Sequence, residues 1–268
     1  MLRASQHNHT DMTNHGSGTI EELVACAHDK GMANLAVTEH YPLTRHVDPR
    51  DYVSMPAARL DEYVERIRAQ RLVYPDMDIL VGCELDWLGA DEDRAFAADA
   101  FDAFDIILGS VHFLDLWPLD DPEQRGHWDE VGIDAVWRRY FEVWCEAAVS
   151  SAPFTVMAHP DLVKKYGHRP SFDPAPLYRD AAEAAREGGR MVEVNTSGVT
   201  YPCGEFFPSQ DLLREFCRAG VPCTIGSDAH EPHLVDRRIE EGYRWVYEAG
   251  YRELTLVMPG NERRAVPL

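Results

Sequence analysis

Nine residues able to hold a divalent metal recur along this chain, and all of them fall where strand-like segments end. They are His7 and His9, His15, His40, Glu84, His112, His159, Asp228 and His230. Imidazole and carboxylate donors together suit Zn, Mn or Fe. A barrel gathers the C-terminal ends of its strands on one face, so residues far apart in sequence converge there. The pattern predicts one multinuclear metal site. Any one His is more often a surface or hydrogen-bonded core residue, so the weight lies in the recurrence. His7-Asn8-His9 at a strand end puts both imidazoles on one side, because strand side chains alternate. The other five His (His28, His46, His127, His168 and His233) follow no strand directly and read as structural, exposed or loop residues.

Strand and helix signals alternate around these positions. Strands are expected over 2–6, 34–37, 79–82, 105–109, 154–157, 191–194 and 221–225, with a further strand over 254–257. Helices are expected from Thr19-Ile20-Glu21-Glu22, a capping box, to about Lys30, and over 57–72, 91–101, 133–148, 174–187, 211–218 and 237–248. Parallel strands joined by right-handed helical crossovers imply a barrel, whereas an open doubly wound sheet would concentrate ligands at one switch point. The stretch 114–132, rich in Asp, Pro and Trp, has no regular period and reads as a long loop over the site.

Composition fits this architecture. At 268 residues and 45% hydrophobic, one α/β barrel spanning 1–268 is expected, since such barrels take about 250 residues. No apolar run approaches the roughly 20 residues of a membrane span, and the first candidate ligands leave no room for a signal peptide, so a soluble cytoplasmic protein is expected. Six scattered cysteines show no Cys-x-x-Cys spacing and are expected to be reduced. A net charge of −20 opposes nucleic-acid binding, which leaves a small molecule as the expected partner. Oligomeric state is open.

The ordered set His7-Asn8-His9-Thr10, Thr38-Glu39-His40, Gly82-Cys83-Glu84, Gly109-Ser110-Val111-His112-Phe113, Ala158-His159-Pro160-Asp161 and Gly226-Ser227-Asp228-Ala229-His230 resembles the PHP superfamily, named for polymerase and histidinol phosphatase. Pro160 to Gly167 and Glu193-Val194-Asn195-Thr196-Ser197-Gly198 look like its histidinol-phosphate phosphatase branch. The resemblance implies a distorted (β/α)7 TIM-like barrel with a trinuclear centre. It also implies that His7, His9, Glu84 and Asp228 hold one metal, that Glu84, His112 and His159 hold a second, and that His15, His40 and His230 hold a third.

The implied chemistry is hydrolysis of L-histidinol phosphate, a step of histidine biosynthesis, with about two to three divalent ions lowering the pKa of bound water so that a bridging hydroxide attacks phosphorus. Glu84, Asp228 and His159 are the expected catalytic centre. Lys164 and Lys165 are candidates to meet the phosphoryl group, one of them otherwise a solvated loop lysine. Asp161 is a candidate proton donor to the leaving group. Asp115, Asp120 and Glu205 are candidates for the substrate amine, and Tyr41 and Phe206 for its imidazole. Rival readings are a PHP phosphoesterase acting on another small phosphate or a nucleotide, an amidohydrolase-like barrel, and a noncatalytic metal-bound module. Glu84 at the bridging position and the full donor set argue against the last two.

Overall fold

The computed structural model describes residues 2–50, 52–89 and 100–268. The chain runs β1 (Ala4–Ser5), α1 (Ile20–Asp29), β2 (Asn34–His40), α2 (Leu60–Val73), β3 (Asp78–Asp86) and β4 (Ile106–Ser110). A hairpin of β5 (Phe113–Leu114) and β6 (Trp117–Pro118) follows, then α3 (Gly126–Val131), α4 (Ile133–Val149), β7 (Val156–Met157) and α5 (Ala175–Glu187). The chain ends with β8 (Met191–Asn195), α6 (Gln210–Arg218), β9 (Cys223–Gly226), α7 (Ile239–Ala249), β10 (Glu253–Met258) and β11 (Glu262–Pro267).

Seven parallel strands make one sheet in the order β1-β2-β3-β4-β7-β8-β9. Backbone bonds across its edges curl it shut. Gln6 N donates to Ile225 O at 2.9 Å, Asp228 N to His7 O at 2.9 Å and His9 N to Ala229 O at 2.7 Å. The first and last strands are therefore neighbours, as the expected (β/α)7 barrel requires.

Alternation along the strands sorts the side chains. Leu35, Val37, Ile79, Val81, Ile107, Val192 and Ile225 point outward into the core shared with the helices. Ala36, Leu80, Ile106, Leu108, Val156, Ala158 and Met191 fill the barrel interior together with Val257. Both faces are buried, which is why these strands read as continuous apolar runs. Val257 belongs to β10, which pairs with β11 outside the barrel sheet. Gln6 fixes that plug: its Nε2 donates to Val257 O, and its Oε1 accepts from Val257 N and Thr224 Oγ1.

Two more residues along each strand, the same inward faces become polar: Thr38 and His40, Glu84 and Asp86, Ser110 and His112, Glu193 and Asn195. The barrel is thus greasy below and ionisable above.

Several boundaries differ from the sequence expectation. β2 and β3 run on through His40 and Glu84, so these donors sit within strands, held by ladder bonds, and not just beyond them. β1 is only two residues long. The stretch 114–132 is not a plain loop: it contains the β5–β6 hairpin, a short 3-10 turn and α3. Trp128, buried and donating its Nε1–H to Leu119 O at 3.0 Å, gives it a small core of its own. The helix expected over 91–101 falls almost wholly outside the described residues. The capping box on α1 is present, Glu22 N donating to Thr19 Oγ1 and Thr19 N to Glu22 Oε2. No described helix is long and apolar enough to cross a membrane.

Tyr63 on α2 ties a helix to the strands that carry His40 and Glu84. Its buried hydroxyl lies 2.8 Å from both Val37 O and Gly82 O, and it accepts from Glu39 N at 3.2 Å. Tyr63→Phe strands these buried groups and is expected to cost about 1–3 kcal/mol, measurable as a lower urea midpoint at unchanged slope.

Candidate metal centre

The structure brings all nine sequence-predicted donors to the open end of the barrel. Glu84, 1% exposed, is at the middle. Five imidazole nitrogens face its carboxylate: His159 Nε2 at 2.9 Å, His40 Nδ1 at 3.2 Å, His7 Nε2 at 3.3 Å, His9 Nε2 at 3.4 Å and His112 Nε2 at 3.5 Å. Asp228 approaches from β9, with Oδ1 3.4 Å from His9 Nε2 and 3.6 Å from His7 Nε2. The rings of His9 and His230 stack at 4.3 Å, and His15 lies 4.9 Å from His230 and 5.1 Å from His40 between centroids.

Donor atoms within 4.8 Å of one another form four overlapping groups: His7-Glu84-His159, His7-His9-Asp228, His40-Glu84-His112 and His9-His40-His230. These groups cut across the partition that the family resemblance implies, since His40 shares donors with both Glu84 and His230. His15 belongs to none of the four and stands at the rim, its Nδ1 3.4 Å from Tyr52 O.

The donor set fits metal ions on two observations. His7 Nε2 and His9 Nε2 face each other at 3.1 Å, where two lone pairs need a proton or a cation between them. Outer carboxylates hold the far ring nitrogens: His7 Nδ1 is 2.9 Å from Glu193 Oε1, and His112 Nδ1 is 2.7 Å from Asp86 Oδ1. A carboxylate on the outer nitrogen puts the proton there and leaves the inner lone pair free, the usual support of a metal-ligating His. Sequence reasoning missed Glu193 and Asp86 in this role. Their signal was available in strand alternation, because each lies two residues from an inward-facing position.

Glu193 does more than orient His7. Its Oε2 accepts from His159 N at 2.9 Å and from Asn195 Nδ2 at 3.2 Å. Asn195 Nδ2 and Ser197 Oγ also donate to Asp228 Oδ2 at 3.2 and 3.3 Å, and Arg237 Nη2 donates to Ser227 O and Asp228 O. Those bonds hold two donors whose backbone is strained. His159 and Asp228 have φ of 26° and 50°, left-handed values that cost of order 1–3 kcal/mol for a residue with a Cβ. β7 and β9 end just before them, so the left-handed turn falls on the donor residue itself.

Charge is distributed unevenly over the cluster. Burial opposes protonation of every imidazole, yet Glu193, Asp228 and Glu84 outweigh it at His7 and raise its pKa well above the usual value. At His9, Asp228 and Glu39 raise it to about 9; at His112, Asp86 and Glu84 raise it to about 10. Burial prevails at His40 and His15, which are lowered, and at His230, which burial and His9 push down to about 3. Burial also resists ionisation of Glu84 and Asp228, but the surrounding His hold both well below the carboxylate range.

The remaining candidates separate by geometry. Lys164 is fully buried beside Asp161, which is also fully buried, at 2.9 Å, and donates to Phe206 O at 2.7 Å. This pair braces the turn after His159, Asp161 Oδ2 also accepting from Ser209 N at 2.8 Å. Lys165 turns the other way, to Asp120 Oδ2 at 2.8 Å. Neither lysine is a solvated loop residue: their side chains are 0% and 15% exposed. Glu205 is engaged by Arg169 and Lys164, Asp115 by Arg139 at 3.0 Å. Tyr41 packs on Phe101 and Phe104, and Phe206 on Trp245. His28, His46, His127, His168 and His233 all lie outside the cluster, His168 stacked on Trp128 at 4.5 Å.

A seven-stranded parallel barrel whose mouth is lined by His, Glu and Asp defines a barrel hydrolase of the kind that works with divalent metals. The PHP domain family model matches residues 5–197, and the chain belongs to the PHP family. Over 251 residues it is 32% identical to a Deinococcus radiodurans protein named "Probable histidinol-phosphatase", covering 93% of this chain and 94% of that one. A Thermotoga maritima protein of the same name is 23% identical over 93% of this chain and 94% of its own length. The fold is shared with a histidinol phosphate phosphatase from Lactococcus lactis, solved in complex with zinc, L-histidinol and phosphate: TM-score 0.78, 20% identity, 98% of each chain covered.

Gly226 gives a direct probe of how the centre is assembled. A Cβ there would stand 2.2 Å from Glu193 Oε1 and 2.5 Å from His7 Cβ. Gly226→Ala is therefore expected to cost about 1–3 kcal/mol through overpacking and to drive His7 from its carboxylate. A thermal melt at wild-type midpoint would show that the space is not needed.

Proposed function

We propose that this chain is a metal-dependent phosphomonoesterase that hydrolyses L-histidinol phosphate to L-histidinol and phosphate. The observation that carries the reading is the ring of imidazole nitrogens about the buried Glu84 carboxylate, in a chain that aligns along nearly its whole length with relatives named for this activity. About two to three divalent ions, Zn, Mn or Fe, are the expected complement of such a centre. His7, His9, His40, Glu84, His112, His159, Asp228 and His230 would hold them, with Glu84 shared and His15 joining at the rim. The site of action is the cytoplasm.

When bound, the metals would supply a nucleophilic oxygen at neutral pH and positive charge for the phosphoryl oxygens. The chain's own contribution is placement. Glu193 and Asp86 lock the tautomers of His7 and His112, and Arg237, Asn195 and Ser197 aim Asp228. Lys165 is the lysine whose geometry suits a phosphate oxygen, because Lys164 is committed to Asp161 and Phe206 O. A fixed array of this kind needs no reorganisation as charge develops in the transition state.

The test is phosphate release from L-histidinol phosphate, compared with nucleotides and simple alkyl phosphates, on protein whose metal has been counted. Strong preference for L-histidinol phosphate is expected. Full metal occupancy without that preference would move the protein to a different small phosphate ester. His159→Ala and Asp228→Ala are expected to lower metal content and turnover together, and either variant retaining both would remove that residue from the donor set.

Metal loading has a proton signature. Raised pKa values at His9 and His112, about 9 and 10, keep extra protons on the metal-free cluster at pH 7, one of them shared across the 3.1 Å contact between His7 Nε2 and His9 Nε2, and a metal must displace those protons. Adding Zn to metal-free protein is expected to release protons, and apparent affinity to weaken as pH falls. Calorimetry in buffers of different ionisation enthalpy checks this; an enthalpy independent of buffer would contradict it.

A further inference from the structure

At the barrel mouth one ion pair stands apart from the donor cluster. Lys165 Nζ lies 2.8 Å from Asp120 Oδ2, and the two side chains are 15% and 22% exposed. Their position is fixed from several directions. Asp120 follows the β5–β6 hairpin, and its backbone oxygen accepts from Tyr166 OH. Arg125 packs over the Tyr166 ring at 3.8 Å, and Lys165 Nζ stands 4.7 Å from the centre of the Tyr201 ring. Asp120 also lies close enough to His112 and His159 to feel their charge. Among the described residues its second oxygen, Oδ1, receives no hydrogen bond.

A phosphate ester with an ammonium on the neighbouring carbon places a dianion and a cation about one ion-pair length apart. Lys165 and Asp120 form the complementary pair. We propose that Asp120 is the specificity-determining residue for such esters: its carboxylate accepts the substrate ammonium while Lys165 meets the phosphoryl group. The inference rests on the phosphomonoesterase reading and names the residue that would make it selective. The other acidic candidates are less well placed, since Glu205 is shared between two cations, Arg169 and Lys164, and Asp115 is 75% exposed beside Arg139. An ester without the ammonium would bury the carboxylate with less compensation, and a site built for a charged partner discriminates against a ligand lacking it.

The experiment compares L-histidinol phosphate with its deamino analogue, imidazolylpropyl phosphate, on metal-loaded wild type, Asp120→Asn and Lys165→Met. Wild type is expected to favour the amine-bearing ester by roughly tenfold to a hundredfold in kcat/KM, the range of one charge-assisted hydrogen bond. In Asp120→Asn, which keeps the shape and an acceptor for Lys165, that ratio is expected to collapse to within about threefold of unity. Lys165→Met is expected to slow both esters alike and keep the ratio, because the phosphoryl group is common to both. Calorimetric binding of L-histidinol, which needs no turnover, should weaken in Asp120→Asn and not in Lys165→Met. An unchanged ratio in Asp120→Asn, with both esters slowed equally, would reduce Asp120 to an anchor for the hairpin and overturn the proposal. Wild-type protein that turns over neither ester would sink the phosphatase reading instead, while the calorimetry would still decide whether Asp120 holds the amine.

Discussion

A carboxylate taken out of water must be compensated, and Glu84 sets that demand for the whole barrel. It is 1% exposed and has imidazole nitrogens of five His within 3.5 Å. Uncompensated burial of such a charge costs many kcal/mol. The cluster meets the demand by splitting its imidazoles into two sets, raised at His7, His9 and His112 and lowered at His15, His40 and His230. The raised set is the one backed by further carboxylates, Glu193, Glu39 and Asp86. Protons on those rings and metal ions among them are alternative solutions to one electrostatic problem, and the second frees every lone pair to point inward.

Barrel geometry makes so dense a cluster possible. Each strand delivers apolar residues to the interior below and polar ones above by alternation alone, as in Leu80, Gly82 and Glu84 on β3 or Leu108 and Ser110 on β4, with His112 just beyond. Gly82 leaves room where a Cβ would meet Thr38 and Ile106 side chains at 2.6 and 2.8 Å, so neighbouring strands close up beneath the donors. Gly226 does the same between His7 and Glu193. Two of the donors, His159 and Asp228, carry left-handed backbone just past the ends of β7 and β9.

Much of this was legible in the sequence, for a physical reason. Ligand positions are tied to strand ends, strand ends to apolar runs bounded by polar residues, and seven such runs to a barrel. What was not legible depends on where a side chain turns after the strand. Lys164 and Lys165 are adjacent and chemically alike, but a 3-10 turn sends one inward to Asp161 and the other across to Asp120. No periodicity marks that choice. Glu193 and Asp86 were hidden differently: each was one acidic residue among 46, and alternation, which turns both inward, does not say which His each one meets. The hairpin and helix inside 114–132 escaped because elements of two and six residues are too short to show a period.

The acidity of the chain bears on which phosphates can use the mouth. With 26 Lys and Arg against 46 Asp and Glu, the surface repels a dianion at long range, and salt screens that repulsion only beyond about 8–10 Å. Attraction therefore has to come from charges within the mouth itself. Of the two lysines after His159, Lys164 is spent on Asp161, and Lys165 is half-neutralised by Asp120. A simple alkyl phosphate gains little from such a pair, since it meets the acid as well as the lysine. A phosphate that brings its own ammonium arrives with lower net charge and can engage both members at once. The negative surface and the Lys165–Asp120 pair thus press in the same direction, and the selectivity proposed for amine-bearing esters would come from repulsion of the wrong ligand as much as from attraction of the right one.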